Sequence, residues 1–138
     1  MARLSKPMIS FIVPAYNEEH ELSDTLAAIR KAASGATQPY EIIVVDDAST
    51  DATPRIASDA GAKVIPINRR QIAASRNAGA RAAQGEYLFF VDADTRINPA
   101  HVTGGIGALD GGSAGGGARV AMDGFIPIWG RILLRGFS

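Results

Sequence analysis

Apolar residues fall in short blocks of two kinds along this chain. Met8 to Val13 (MISFIV), Glu41 to Val45 (EIIVV) and Glu86 to Val91 (EYLFFV) are continuous runs rich in β-branched and aromatic side chains. Such runs predict strands covered on both faces. Between them the spacing changes. In residues 18–34, Leu22, Leu26, Ile29 and Ala33 recur at helical intervals, with Asn17 as the expected N-cap and Glu18 and Glu19 at the positive end of the helix dipole. Thr53 followed by Pro54 predicts the N-cap and first residue of a short second helix, running to about Ala60 and stopped by Gly61. Lys63 to Ile67 (KVIPI) is a weaker third strand, because Pro66 cannot donate to a ladder and belongs at an edge or strand end. A third helix is expected from Gln71 to Gln84, closed by Gly85.

The resulting order is β-α-β-α-β-α-β, with strands joined by helices rather than hairpins. The expected fold class is α/β, a three-layer α/β/α arrangement around a mostly parallel sheet with right-handed crossovers. The pattern weakens after Ala100. Gly104 to Ala118 contains eight glycines, which breaks any helical stripe and reads as a broken helix, a loop and the start of a fifth strand near ARVAM. A phosphate-cradling loop would need a Gly-Lys-Ser/Thr that is absent. Residues 1–138 are thus expected to form one domain, with a core over 8–97 and a Gly-rich connection plus apolar segment over 98–138. In that last segment Ile128 and Ile132, and separately Trp129, Leu133 and Phe137, share i, i+4 spacing beside Arg131 and Arg135. Such a stripe is expected to be core or domain contact, with peripheral membrane contact through 125–137 as the alternative.

Composition narrows the function. Fourteen basic and fourteen acidic side chains cancel, so the chain has no general attraction for nucleic acid or an anionic membrane, and an anionic ligand must be held locally. Cysteine is absent, which excludes disulfides, thiolate zinc sites and Cys nucleophiles and agrees with a cytoplasmic location. The apolar run after the basic start is about six residues, shorter than the roughly 7–15 of a signal h-region, so it reads as the first strand. No stretch approaches the roughly 20 apolar residues of a membrane span.

In an open parallel sheet, ligands bind beyond the carboxyl ends of the strands. The residues there are Pro14 to Glu19, Asp46 to Asp51, Asn68 to Gln71 and Asp92 to Thr95, four polar loops far apart in sequence. Asp46 and Asp47 are adjacent and point to opposite sides of an extended chain, so one is expected to face a ligand while the other fixes the loop. Asp92 and Asp94, two apart at a strand end, are expected to project to the same side. Two carboxylates about 4 Å apart repel by roughly 1 kcal/mol in water and about 4 kcal/mol at an effective dielectric of 20. A cation removes that repulsion; a raised pKa on one of the pair is the other remedy. Oxygen ligands without His or Cys favour Mg²⁺ or Mn²⁺, which commonly bind through one or two carboxylates plus substrate phosphates. Arg76, near the start of the third helix, is a candidate source of positive charge.

The segments FIVPAYNEE, IIVVDDASTD and SRNAGARAAQGEYLFFVDADT together resemble the nucleotide-binding half of a family 2 glycosyltransferase with the GT-A fold, over residues 8 to about 97. The resemblance implies that Pro14, Ala15, Tyr16 and Glu18 line the base and ribose pocket, and that Asp46 or Asp47 reads the base edge. It implies that Arg76 and Asn77 close over the nucleotide, and that Asp92, Ala93 and Asp94 are the Asp-X-Asp motif. Asp94 is then the metal ligand, with Asp92 acting beside it through the ribose or water. The implied reaction is inverting transfer of a sugar from a UDP- or GDP-linked donor to an acceptor hydroxyl, with lipid-linked or polysaccharide acceptors at or near the inner membrane face. The family's carboxylate base has no clear match from Arg96 to Ser138, Asp110 and Asp123 included, and is expected beyond Ser138. Two other readings stand beside this one. A nucleotide-binding module without catalysis would share every feature above. A receiver-type Mg²⁺-binding signalling domain requires an acid pair after the first strand and a Lys after the last, whereas this chain has Pro14 to Asn17 and no Lys beyond Lys63.

Overall fold

The structure is a computed structural model that describes residues 7–110 and the short strands at 119–120 and 126–127. The elements are β1 (Ile9–Ala15), α1 (Leu22–Ser34), β2 (Tyr40–Asp47), α2 (Thr53–Asp59), β3 (Lys63–Ile67), α3 (Ile72–Ala82), β4 (Tyr87–Phe90) and α4 (Pro99–Asp110). Then β5 (Arg119–Val120) pairs antiparallel with β6 (Ile126–Pro127). The stripe residues expected from Ile128 to Phe137 and the carboxylate of Asp123 lie outside the described residues, as does the Asp110 side chain. No described helix is long and apolar enough to cross a membrane.

β1 to β4 form one parallel sheet in the order β3-β2-β1-β4. β1 is central and buried along its whole length, as its unbroken apolar run predicts. Phe11 anchors the core, edge-on to Tyr40 with centroids 6.0 Å apart and to Phe89 at 5.4 Å. The chain steps from β1 to β2 to β3 in one direction, then reverses to place β4 on the other side of β1. Right-handed crossovers therefore put α3 on the face opposite α1 and α2, and α3 packs on β1, β2 and β3 while α1 touches α2 and α4. Ligands in such sheets bind where the strand order reverses. Here that point lies at the carboxyl ends of β1 and β4.

Several boundaries differ from the sequence reading. Pro14 does not stop β1; it pairs in register with Val45, and the strand continues to Ala15. β4 has already ended opposite Ile12, so Pro14 lies beside an open edge, where a strand proline is tolerated. α1 starts five residues after Asn17, with Glu21 at the N-cap and no side-chain cap. Asn17 instead takes φ 50° and accepts the Thr50 N–H at 2.8 Å, so it ties two loops together rather than capping a helix. Ala52, not Thr53, is the N-cap residue of α2, and the Thr53 hydroxyl is committed to Asp51 and to the N–H of Glu18. Pro66 sits on the edge strand as expected. Gly85 serves close approach: a Cβ there would lie 2.6 Å from both the Met8 carbonyl and the Ser10 hydroxyl.

Candidate functional site

At the carboxyl edge, the segment after β1 and the segment after β2 are laced by hydrogen bonds. Asn17 N–H donates to the Ser49 hydroxyl at 2.8 Å, Glu18 N–H to Thr53 Oγ1 at 2.8 Å, and Ala52 N–H to Glu19 Oε1 at 3.1 Å. Asp51 accepts from the Thr53 N–H at 2.9 Å and from its hydroxyl. Burial works to raise the Asp51 pKa, but these bonds outweigh it and hold the carboxyl below its usual range. Polar residues that look like generic turn formers thus build a rigid two-loop platform.

Asp46 and Asp47 divide their work, one closing a turn and the other lining a cleft. Both are buried. Asp46 Oδ1 accepts the Ser49 N–H at 3.2 Å and closes its own turn. Asp47 lines the main cleft and also anchors the loop after β3, taking the Arg69 N–H at 2.8 Å on Oδ1 and the Gln71 N–H at 3.0 Å on Oδ2. Burial opposes its charge, yet the N–H groups of Arg70, Arg69 and Gln71 and the Arg70 guanidinium keep its pKa below the usual range. Three successive N–H groups converging on one anion make a nest. That geometry needs a left-handed residue, and Arg70 supplies it with φ 52°.

The cleft above this platform encloses about 350 Å³. Pro14, Ala15, Tyr16, Glu18 and Asp47 line it, together with Arg70, Gln71, Ile72 and Ser75. Arg70 lies over the Tyr16 ring, with Cζ 3.7 Å from the centroid. Asn77 is elsewhere: it lines a second cavity of about 340 Å³ between β3 and α3, with Asn68, Arg69 and Arg81. Arg70, Ile72 and Ser75 were not among the candidates. Two arginines directly after the third strand, in a loop already assigned to the crevice, are the signal that would have found the first.

The acidic group lies beside the cleft. The ladder of β4 ends at Phe90, one further bond runs from Val91 N–H to the Ile12 carbonyl at 2.9 Å, and the chain then turns, with Thr95 N–H returning to the Asp92 carbonyl at 2.9 Å. Asp92 and Asp94 therefore flank a turn rather than sharing one side of an extended strand, with Asp92 half-buried, Ala93 buried and Asp94 exposed. They still act on each other. Burial raises the Asp92 pKa, Arg76 lowers it and Asp94 raises it. Burial also raises Glu18, followed by repulsion from Asp94, Glu21, Asp51 and Asp92. The loops after β1 and β4 thus bring Glu18, Asp92 and Asp94 into one field, against which Arg76 stands with its Nε buried and without a hydrogen-bond partner among the described residues.

Comparison with known proteins decides the family: the sequence model of Glycosyl transferase family 2 matches residues 10–133. The chain belongs to glycosyl transferase family 2. The succinoglycan biosynthesis protein ExoO of Rhizobium meliloti is 34% identical over 122 residues, which cover 85% of this chain and 33% of that protein. Among solved structures, S. aureus TarS in complex with UDP-GlcNAc superposes with a TM-score of 0.63 at 30% identity, over 75% of this chain and 31% of TarS. Glucosyl-3-phosphoglycerate synthase from Mycobacterium tuberculosis, in complex with Mn²⁺, UDP and glucosyl-3-phosphoglycerate, reaches 0.67 at 26% identity, over 78% of this chain and 41% of that one. The fold of this family 2 chain is therefore the GT-A fold. The chain spans roughly a third of the length of the curated relatives it matches.

Proposed function

We propose that this chain is the donor-binding part of a glycosyltransferase that uses a nucleoside-diphosphate sugar, with uridine as the base, together with Mg²⁺ or Mn²⁺. The observation that carries the reading is the convergence of a cleft lined by Tyr16, Glu18 and Asp47 with the Asp92–Asp94 turn, whose charges Glu18 feels, at the point where the strand order reverses. UDP and UDP-GlcNAc in the solved relatives support uridine over guanosine.

The residues present fit a divalent cation. Among the described residues no three His, Cys, Asp or Glu side chains form a cluster that would hold one unaided. Asp94 and Asp92, completed by the oxygens of a diphosphate, match the hard, oxygen-only arrangement in which Mg²⁺ keeps few protein ligands. When bound, the ion supplies Lewis-acid stabilisation of charge on the departing nucleoside diphosphate. Arg76, its charge already felt by Asp92, adds a donor toward the same phosphates. Pro14, Ala15, Tyr16, Glu18 and Asp47 hold the base and ribose. Asp46 acts behind them by closing the turn, and Asn77, which lines the second cavity, takes a supporting place on α3. The transfer is inverting, and the acceptor hydroxyl gives its proton to a carboxylate outside residues 7–110. Lipid-linked or polysaccharide acceptors fit the same chemistry.

Calorimetric titration of the chain with UDP and GDP, with and without Mn²⁺, tests the reading. UDP binding is expected to strengthen with the metal and to lose that enhancement in Asp94→Ala. Equal, metal-independent affinity in both proteins would overturn the metal assignment.

A further inference from the structure

The Arg70–Tyr16 pair carries the donor-site reading further. Position 70 must be left-handed, because the nest around Asp47 requires it, and glycine takes that conformation without the steric cost an Arg carries. A costly residue at such a place is a sign of a side-chain role. The side chain shows one. Its guanidinium carbon lies 3.7 Å from the Tyr16 ring centroid, on the rim of the 350 Å³ cleft. Tyr16 is 37% exposed and Ile72, on the same rim, 54% exposed, so the pair is open to solvent on one side rather than packed in the core.

A carboxylate partner does not account for the placement. No ion pair of Arg70 is found among the described residues, and its relation to Asp47 runs chiefly through the backbone N–H. On a solvated rim this is a cation–π pair, and each partner has a flat face of its own. Heterocyclic bases present two faces of the same kind, and proteins hold them by stacking on aromatic rings and guanidinium planes.

We infer that Arg70 is a binding residue for the nucleobase: it leaves the Tyr16 face when a nucleotide enters and closes on the base from the opposite side, so that the ring is held between guanidinium and phenol. This rests on the donor-site reading above and adds to it a second stacking surface, carried by the loop after the edge strand. The long side chain permits the movement, while the nest keeps its backbone fixed on Asp47.

The test compares the 138-residue chain with Arg70→Gly and Arg70→Lys, titrated with Mn²⁺ and either UDP or inorganic pyrophosphate. Arg70→Gly relieves the left-handed strain, so its thermal midpoint should hold or rise, and folding does not confound the result. The expected outcome is a loss of roughly two- to thirtyfold in UDP affinity for Arg70→Gly, with pyrophosphate binding unchanged. Arg70→Lys, which keeps the charge without the plane, should fall between. UDP affinity equal to or tighter than wild type in Arg70→Gly would show that Arg70 only covers Tyr16, and would overturn the inference. An equal loss for pyrophosphate would assign Arg70 to the phosphates and overturn it as well, as would full UDP affinity in Arg70→Lys. Failure of the unaltered chain to bind UDP would remove the donor site itself, and this residue's role with it.

Discussion

Arg96 donates from Nη1 to the hydroxyl of Thr25 at 2.6 Å, and that hydroxyl is also 2.5 Å from the carbonyl of Ala93, to which it donates. Thr25 is fully buried on α1, and Ala93 is the middle residue of the Asp92–Asp94 turn. Arg96 is held in turn by Glu21 at 2.5 Å. One turn of α1 therefore sets where the two candidate metal ligands stand. Thr25→Val removes the hydroxyl and leaves the Ala93 carbonyl without its partner, a loss of about 1–3 kcal/mol. A scanning melt should show a midpoint several degrees lower. In calorimetry the metal-enhanced part of UDP binding should weaken more than metal-free binding. A lowered melt with the metal enhancement intact would reduce Thr25 to scaffolding.

Asp92 is a residue whose charge opposes the fold. Burial and the neighbouring Asp94 raise its pKa against the pull of Arg76. The ionised form is thus disfavoured, and its penalty appears as pH rises past the ordinary carboxylate range. Asp92→Asn should stabilise the metal-free chain slightly at pH 7, by about 0.5 kcal/mol once solvent screening is allowed for, while diminishing metal-dependent UDP binding. Denaturant melts and titrations on the same protein check both halves. Destabilisation by the amide would show that the carboxylate is a structural acceptor instead.

Asp47 and Asp51 predict the opposite pH response. Their pKa values are lowered in the folded chain, so the stability they contribute is complete above the unfolded carboxylate value of 3.8 and is lost as pH falls through the lower folded values. Acid melts should therefore steepen below about pH 4. Asp47→Asn replaces one of the two accepting oxygens with an NH₂ donor, so that the N–H of either Arg69 or Gln71 loses its acceptor, which should cost about 1–3 kcal/mol at pH 7. The same substitution should flatten the acid limb of the curve. An unchanged acid limb would remove Asp47 from the account.

Two glycines in helices should respond with opposite signs. A Cβ at Gly79 would lie 2.3 Å from Ile12 Cγ2 and 3.1 Å from Val45 Cγ2, where α3 meets the sheet. Gly79→Ala should destabilise by about 1–3 kcal/mol despite better helix propensity. At Gly107 in α4 no atom among the described residues lies within 4 Å of the added Cβ, so Gly107→Ala should stabilise by about 0.5–1 kcal/mol. Equilibrium unfolding in urea measures both. Equal effects at the two positions would contradict the close packing of α3.

Much of the fold was legible because the strands announce themselves. β1, β2 and β4 are uninterrupted apolar runs, and a parallel sheet covered on both faces demands such runs. Pro66 on the edge strand, Gly61 at φ 84° after α2 and the gathering of acidic loops at one edge follow from local chemistry alone. The start of α1 was not legible. Asn17 is a good cap by composition, but Thr50, from the neighbouring strand's loop, competes for its side chain and wins. Asn77 likewise sits one residue from Arg76 yet on another side of α3, since a helix turns about 100° per residue.

By itself the sequence determined the order of strands and helices, the family and the carboxylates available, since each of these depends on residue type and spacing along the chain. Only the tertiary structure decided what those residues do. It tied Asp47 to Arg69, 22 residues away, bent the Asp92–Asp94 segment onto Thr25, and laid Arg70 over Tyr16. Hydrogen bonds and ring contacts between segments far apart in the chain assign those partners, and no local pattern carries that information.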